Sequence, residues 1–177
     1  MVLYRRNRVP GGTSFFTTTL KDRRSSLLVD HIDILRSAFE TTRRERPFVV
    51  DAIVILPDHL HTIMTLPTGD ADFSGRWRRI KGLFTRHVAS ARGVAPTPTG
   101  EYPLWQRRFW EHIIRDDGDY ARHVDYIHFN PVKHGHVTRV GNWRYSSFHR
   151  YVWEEILPPD WGGGDDDGDT AFGEPAP

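Results

Sequence analysis

Two histidines one residue apart stand in the segment LPDHLHTIMTLP, residues 56–67. The run is apolar and β-branched, which favours a strand, and side chains at positions i and i+2 of a strand point to the same face. His59 and His61 would therefore offer two imidazole ligands from one rigid element, which is half of a metal site. The same spacing also occurs in histidines that only form hydrogen bonds or face solvent where a strand begins, so the pair needs partners.

Partners of suitable chemistry occur in the segment RHVDYIHFNPVKHG, residues 122–135. Tyr126 and Asn130 are four residues apart on a predicted helix, beside the stripe that should face the core. A phenol and a carboxamide one turn apart could both reach a cleft over the sheet. Taken alone, a half-buried packing tyrosine and a helix-ending asparagine before Pro131 would explain the same residues.

Together these four side chains fit phosphoester chemistry on a divalent cation. Two neutral imidazoles and an amide oxygen leave the charge of the ion unneutralised, which suits an ion that grips an anionic phosphate. A tyrosine hydroxyl is a weak nucleophile at its ordinary pKa of about 10, so a nearby cation that favours the phenolate is needed. Phosphate, metal and phenol would act as one unit.

Two ordinary zinc patterns are absent from the sequence. The pattern His-x-His-x-Asp-His requires an aspartate two residues after the second histidine, where this chain has Ile63. The helical pattern His-Glu-x-x-His is absent too. A zinc hydrolase with a third histidine such as His112 is one alternative, and a non-catalytic nucleic-acid-binding module is another. His134 and His136 repeat the one-residue gap, but around Gly135, where a rigid strand is not expected.

The elements that must position these residues follow from hydrophobic periodicity and turn signals. Strands are predicted at residues 11–20, 48–56, 60–66 and 106–115, and a Pro-Asp turn joins the second and third into a hairpin. The prolines of residues 95–103 predict a loop. Helices are predicted at residues 25–46, 72–93 and 116–130, the last of these closed by Pro131, and a short final helix at 143–155. The order βα(ββ)αβαα predicts a single α+β domain with a central antiparallel sheet flanked by helices.

Charge and composition bound the partners of the chain. The 177 residues have a formal net charge of +1, but residues 1–159 hold 24 basic and 17 acidic residues, a formal charge of +7. A basic body favours a phosphate-bearing partner. Residues 160–177 are acidic and rich in Gly and Asp, so we expect a disordered tail after a folded domain at residues 1–159. With no cysteine, no membrane-spanning run and no signal-peptide pattern, we expect a cytoplasmic protein.

Longer blocks of the chain resemble the REP-associated tyrosine transposases, members of the single-tyrosine HUH nucleases, where HUH means His-hydrophobe-His. The resemblance covers most of residues 4–153 and is most specific in DYIHFNPVKHG after WQRRFWEH. It implies a ferredoxin-like or RRM-like α+β fold. It also implies that His59, His61 and Asn130 bind Mg²⁺ or Mn²⁺ and that Tyr126 is the nucleophile.

The same resemblance implies a reaction and a substrate. Tyr126 would attack a phosphodiester of single-stranded DNA, leaving a 5′-phosphotyrosine link and a free 3′-hydroxyl, and a second 3′-hydroxyl could rejoin strands. The substrate would be the hairpin of a repetitive extragenic palindrome (REP). The enzyme would be nucleoid-associated and monomeric with Tyr126 acting in its own subunit, although related insertion-sequence enzymes exchange the tyrosine helix within a dimer.

Basic residues near aromatic ones are candidates for DNA contacts, because a single strand needs cations along its backbone and flat groups on which bases stack. The candidates are Arg5, Arg6, Arg76, Arg78, Arg79, Lys81, Arg86, Arg107, Arg108 and Lys133. Basic helix faces are often only solvated, and the bases that these residues would read do not follow from the sequence.

Overall fold

A computed structural model describes residues 9–93 and 104–163. Its strands form one antiparallel sheet in the spatial order β2-β3-β1-β4, with β1 Thr13–Thr19, β2 Val49–Ile55, β3 His59–Thr65 and β4 Trp110–Ile113. The helices are α1 Leu27–Asp30, α2 Ile32–Glu45, α3 Phe73–Arg92, α4 Asp117–Lys133 and α5 Phe148–Trp153, with a 3-10 turn at Val140–Asn142. The element order up to β4 and the strand order are those of a ferredoxin-like unit. The predicted α+β fold is confirmed.

The sheet separates two apolar layers. The layer between the sheet and helices α2 and α3 contains Phe16, Leu35, Leu60, Trp77 and Phe84. The layer between the sheet and α4 contains Phe15, Val54, Ile63, Val124 and Ile127. Because both faces are covered, β1 is a nearly continuous buried run rather than an alternating one.

Strand pairing fixes the direction of the two histidines on β3. His61 lies opposite Thr17 and His59 lies opposite Thr19. Directly opposite residues share a face of the sheet, so both imidazoles point into the layer with Phe15, beneath α4. The predicted shared face of the two histidines is confirmed.

The helix predicted at residues 25–46 is in fact two helices. α1 ends at Asp30 and α2 begins at Ile32, because His31 between them is not helical, with φ −116° and ψ 40°. The amide of Leu28 donates to the carbonyl of Pro57 at 3.1 Å. This bond ties α1 to the turn before β3, a contact that the helical periodicity of the segment does not contain.

Pro131 lies inside α4 rather than at its end. The helix continues to Lys133, so the prediction that Pro131 would close it is wrong. The helix ends in a Schellman motif, in which the amide of His136 donates to the carbonyl of Pro131 and the amide of Gly135 to that of Val132, both at 2.9 Å. Gly135 has φ +70°, which glycine adopts without strain, and so it sets the end of the helix.

The folded body extends past the predicted boundary at residue 159. The ring centre of Trp161 lies 6.0 Å from that of Phe148 and 6.3 Å from that of His128. The rest of the predicted tail, residues 164–177, lies outside the described residues, as does the loop predicted at residues 95–103. Within the two described ranges, no helix has the length and apolar character needed to cross a membrane.

Candidate active site

The two imidazoles of β3 lie side by side beneath α4. Their ring centres are 5.0 Å apart and the rings are nearly perpendicular, at 83°. His59 is 1% exposed and His61 is fully buried. The alternative in which the pair faces solvent is therefore wrong.

Each imidazole is held through its Nδ1 atom. His59 Nδ1 donates to Asp58 Oδ1 at 2.8 Å, and His61 Nδ1 shares a hydrogen bond of 2.8 Å with Thr17 Oγ1. Burial acts to raise the pKa of Asp58, but the hydrogen bond from His59 and the charges of His59 and Arg23 outweigh it, so this pKa lies below its usual value. An ionised carboxylate only accepts, so a neutral His59 carries its proton on Nδ1 and a lone pair on Nε2. Histidines that bind metals are commonly oriented in this way.

Helix α4 brings Tyr126 against the same histidines. The ring centre of Tyr126 lies 5.1 Å from that of His61, and only 8% of the residue is exposed. Tyr126 also meets Phe15 edge-on at 6.0 Å, and Lys133 Nζ lies 4.7 Å from the Tyr126 ring centre. The β3 segment with His59 and His61 and the α4 segment with Tyr126 therefore lie together in one layer of the fold.

Asn130 lies four residues after Tyr126 and four before His134, the residue that directly follows α4, and residues four apart lie on one side of a helix. Tyr126 contacts His61 on one side of Asn130. On the other side, the ring centre of His134 lies 5.1 Å from that of His59. Asn130 between them is fully buried. Its position fits an amide oxygen directed at the ion that the two β3 histidines would share.

Three residues that build the site were missed from the sequence. His134 follows Asn130 by four residues, and that helical spacing was the available signal. Asp58 directly precedes His59, but a Pro-Asp pair was interpreted only as a turn. Thr17 depends on the pairing of β1 with β3, and no local pattern encodes that register.

The hydroxyl of Tyr120, the other tyrosine of α4, contacts the hydroxyl of Tyr151. Its hydroxyl lies 3.2 Å from that of Tyr151, which in turn donates to the carbonyl of Asp51 at 3.1 Å. Burial, together with the hydrogen bond from Tyr120, raises the pKa of Tyr151. These two phenols pack between α4, α5 and β2.

A second cluster of titratable side chains, His112, Asp119 and His123, joins β4 to the start of α4. His112 Nε2 donates to Asp119 Oδ2 at 2.8 Å, His123 Nδ1 donates to the Asp119 carbonyl at 2.7 Å, and the two imidazoles stack at 4.6 Å. Burial acts to raise the pKa of Asp119, but the bonds from His112 and from the Arg115 amide outweigh it and hold this pKa well below its usual value. One ligand atom from each of the three side chains lies within 4.8 Å of the others, so the group could hold a metal ion.

The cluster of His112, Asp119 and His123 also has the features of a contact that only stabilises the fold. Arg115 and Arg122 lie 3.4 and 3.5 Å from the Asp119 carboxylate and already balance its charge. His112 pairs with Phe15, so β1 separates it from β3, and two strand spacings correspond to about 9–10 Å. This geometry does not favour the zinc hydrolase that needed His112 beside the β3 histidines.

One predicted DNA-binding residue is buried. Arg76 is 1% exposed, and its guanidinium donates to the carbonyls of Asp72, Arg46 and Pro47 at 3.0, 3.3 and 2.7 Å. It also donates to the Asp70 carboxylate at 2.7 Å. Arg76 therefore joins α3 to the end of α2, and its assignment to DNA binding is wrong because the group does not reach solvent.

The other basic candidates lie at the surface or outside the described residues. The exposed ones are Arg78, Arg86, Arg107, Arg108 and Lys133. Arg79 forms two hydrogen bonds to Glu45, and Lys81 donates to the Gln106 carbonyl beside Trp105. Arg5 and Arg6 lie outside the described residues. DNA binding by these residues stays a prediction.

Similarity to known proteins extends over nearly the whole chain. The chain is 49% identical over 160 residues to a REP-associated tyrosine transposase of Escherichia coli (strain K12), with 90% of each chain covered. The chain belongs to the REP-associated tyrosine transposases. A Haemophilus influenzae protein named for the same family is 49% identical over 166 residues, 92% of this chain and 94% of that protein. No model of a known protein family matches.

A solved structure supports the same assignment of this REP-associated tyrosine transposase. That structure is described as a REP-associated tyrosine transposase bound to a REP hairpin. It has a TM-score of 0.87 and 47% identity to this chain, with 99% of both chains covered. The agreement extends to the fold as well as to the sequence.

Proposed function

We propose that this REP-associated tyrosine transposase is a metal-dependent endonuclease and strand transferase for single-stranded DNA, with Tyr126 as its nucleophile. The observation that carries the proposal is the 5.1 Å separation between the rings of Tyr126 and His61, on the face to which both β3 histidines point. A relative with 47% identity is described as bound to a REP hairpin, so we propose a hairpin of this kind as the substrate here.

His59, His61 and Asn130 are the residues that would hold Mg²⁺ or Mn²⁺. The fit rests on the donor set, which is two imidazoles anchored through Nδ1 and a fully buried amide on the helix above them. These neutral donors leave the charge of a cation available to an anionic ligand. When bound, the ion would polarise the phosphate and stabilise the negative charge that develops on it.

The proposed reaction exchanges one phosphoester for another. The Tyr126 hydroxyl releases its proton to water, and its oxygen bonds to phosphorus while the bond from phosphorus to the 3′ oxygen breaks. The 3′ oxygen takes up a proton, which leaves a 5′-phosphotyrosine and a free 3′-hydroxyl. Attack by a second 3′-hydroxyl reverses the exchange and rejoins strands without ATP. The Lys133 ammonium lies over the Tyr126 ring, 4.7 Å from its centre, so a positive charge is next to the proposed nucleophile.

The surroundings of the site suit an unpaired strand. Trp110 on the edge strand β4 lies opposite Thr17, which in turn lies opposite His61, so the indole is on the face of the histidines. Trp110 is 36% exposed, and Arg107 and Arg108 just before it are exposed. An accessible aromatic ring with cations nearby is what an unstacked base and its phosphate require.

A covalent-adduct assay tests nucleophile, metal and substrate class together. A labelled single strand that carries a REP hairpin is incubated with protein and Mn²⁺, and denaturing gels report label attached to protein. We expect an adduct with the wild type and none with Tyr126→Phe, while hairpin binding is retained. Tyr120→Phe is the matched control, since it removes a hydroxyl from the same helix and should leave the adduct in place.

Two results would count against the proposal. An adduct that persists in Tyr126→Phe, or that disappears equally in Tyr120→Phe, would remove Tyr126 as the nucleophile. Hairpin binding by the wild type without any adduct, in Mg²⁺ or Mn²⁺, would favour a non-catalytic binding module on the same fold.

A further inference from the structure

A cleft of about 400 Å³ lies at the outer edge of β2, apart from the layer that holds Tyr126 and the β3 histidines. Helix α2 forms one wall, and the segment 144–150 forms the other. Ile53 and Ile55 contribute to its floor, on the side of the sheet that packs against α2 and α3. The volume lies within the range of sites that bind small ligands or single nucleotides.

The wall formed by residues 144–150 is fixed in place by backbone pairing. The amide of Ile55 donates to the carbonyl of Tyr145 at 2.9 Å, and the amide of Ser147 donates to that of Ile53 at 2.8 Å. The Ser147 hydroxyl accepts from the Ile53 amide at 2.9 Å. Residues 145–147 thus pair with the edge of β2 through one isolated bridge, which holds this wall of the cleft in place.

The rim of the cleft is strongly basic. Four arginines line it, Arg36, Arg43, Arg144 and Arg150, and among the described lining residues Glu40 is the one acidic side chain. The guanidinium of Arg144 lies 5.3 Å from the ring centre of Tyr145, and that of Arg150 donates to the carbonyls of Val50 and Asp51. Planar guanidinium groups over an apolar floor suit a phosphate joined to a flat base.

The spacing of the arginines on α2 suits a strand better than a single anion. Arg36 and Arg43 are seven residues apart and line the same cleft. Seven residues of helix span about 10 Å, which is roughly the axial rise of three nucleotides in one strand of a duplex. Arg36 has a partner in Asp33 at 3.6 Å, but both side chains are more than half exposed, so this pair is weak.

We infer that this cleft is a second DNA-binding site, which takes the phosphate backbone of the substrate hairpin away from the phosphodiester that Tyr126 attacks. The inference rests on the proposed function only in taking DNA as the ligand. Phosphates of the strand lie along Arg36 and Arg43, and an adjacent sugar or base covers the apolar floor beside Tyr145.

The test measures hairpin binding by fluorescence anisotropy in a Tyr126→Phe background, so that catalysis does not contribute. Arg43→Glu should weaken binding about tenfold and reduce the slope of log affinity against log salt by about 1. The matched control is Arg44→Glu, the next residue in the same exposed last turn of α2 but outside the cleft, which should change both quantities far less. Urea unfolding of both variants shows whether either substitution disturbs the fold.

Other outcomes would overturn the inference. Equal losses in Arg43→Glu and Arg44→Glu would show a general effect of net charge. Displacement of the hairpin by a free nucleoside monophosphate, in an Arg43-dependent way, would assign the cleft to a small anion instead of a strand. Adduct formation by the otherwise wild-type chain is read separately, so failure of the Tyr126 chemistry and failure of the cleft are distinguishable.

Discussion

Asp58 holds the ring of His59, one of the proposed metal ligands. His59 can present Nε2 to a cation only while its Nδ1 proton is held, and Asp58 holds it at 2.8 Å. Arg23 Nε lies 2.6 Å from the other oxygen of this carboxylate, which keeps Asp58 ionised in a largely buried place. This arrangement fixes the orientation and the tautomer of the His59 ring.

Removal of the Asp58 carboxylate should therefore weaken metal binding while the fold is kept. We expect Asp58→Ala to reduce Mn²⁺ affinity by about 10- to 100-fold, the usual effect of losing such a partner of a metal-binding histidine. Mn²⁺ titration followed by electron paramagnetic resonance measures the free ion directly. Asp22→Ala, at an exposed aspartate of the same region, is the control and should bind Mn²⁺ like the wild type. Equal affinity in Asp58→Ala would argue that His59 is not a ligand.

The residue types and spacings predicted part of the site and not the rest. The shared face of His59 and His61 follows from the two-residue period of a strand, and the pairing of Tyr126 with Asn130 follows from the period of a helix. Arg76 was misassigned because its burial depends on carbonyls from residues 46 and 47, far away in the sequence. Long-range acceptors of this kind leave no local pattern.

Among the elements, the β2–β3 hairpin and α3 were predicted closely. The strand predicted at residues 106–115 is only Trp110–Ile113, and the helix predicted at 143–155 is only Phe148–Trp153. A Pro-Asp turn between β-branched runs indicates the β2–β3 hairpin, and each end of its two observed strands differs from the predicted end by one residue. Two further errors concern the break after α1 and the position of Pro131 inside α4. Both depend on contacts or capping bonds that follow the helix, namely the bond to Pro57 and the Schellman motif at Gly135.

The Asp119 side chain connects the start of α4 to β4, and α4 is the helix that carries Tyr126. Asp119→Asn replaces the carboxylate that pairs with His112 and two arginines by a neutral amide. Loss of a buried charged partner lowers the free energy of unfolding by about 3 kcal/mol at pH 7. The folded-state pKa of Asp119 lies below the ordinary 3.8, so its contribution is complete above that value and is lost as the pH falls below it.

The difference in unfolding free energy between the wild type and Asp119→Asn should therefore shrink from pH 7 to pH 3. Urea unfolding at several pH values measures it. Asp117→Asn removes an exposed carboxylate from the same first turn and should cost far less at every pH. A difference that stays constant down to pH 3 would mean that the ionised form of Asp119 contributes nothing.

At the scale of the whole molecule, the two faces of the sheet differ in the side chains that they bury. The layer under α2 and α3 has the apolar side chains of Phe16, Leu60 and Trp77 at its centre. The layer under α4 contains His59, His61 and Asn130 at 1% exposure or less. Buried polar groups stabilise a fold less than apolar ones, so the apolar side chains of the first layer offset the cost of burying the proposed ligands in the second.

Tyr126 and the two β3 histidines lie together within one chain. Two chains that each lack part of this site should therefore not restore activity to each other. The ring of Tyr126 contacts His61 of the same chain at 5.1 Å. A variant with His59→Ala and His61→Ala, co-expressed with a tagged Tyr126→Phe chain, should therefore form no adduct, because neither chain holds a complete site. Co-expressed tagged and untagged wild-type chains are the control and should both be labelled. An adduct on the chain that lacks histidines would show that α4 is exchanged between subunits, since only a partner's histidines could then activate its Tyr126.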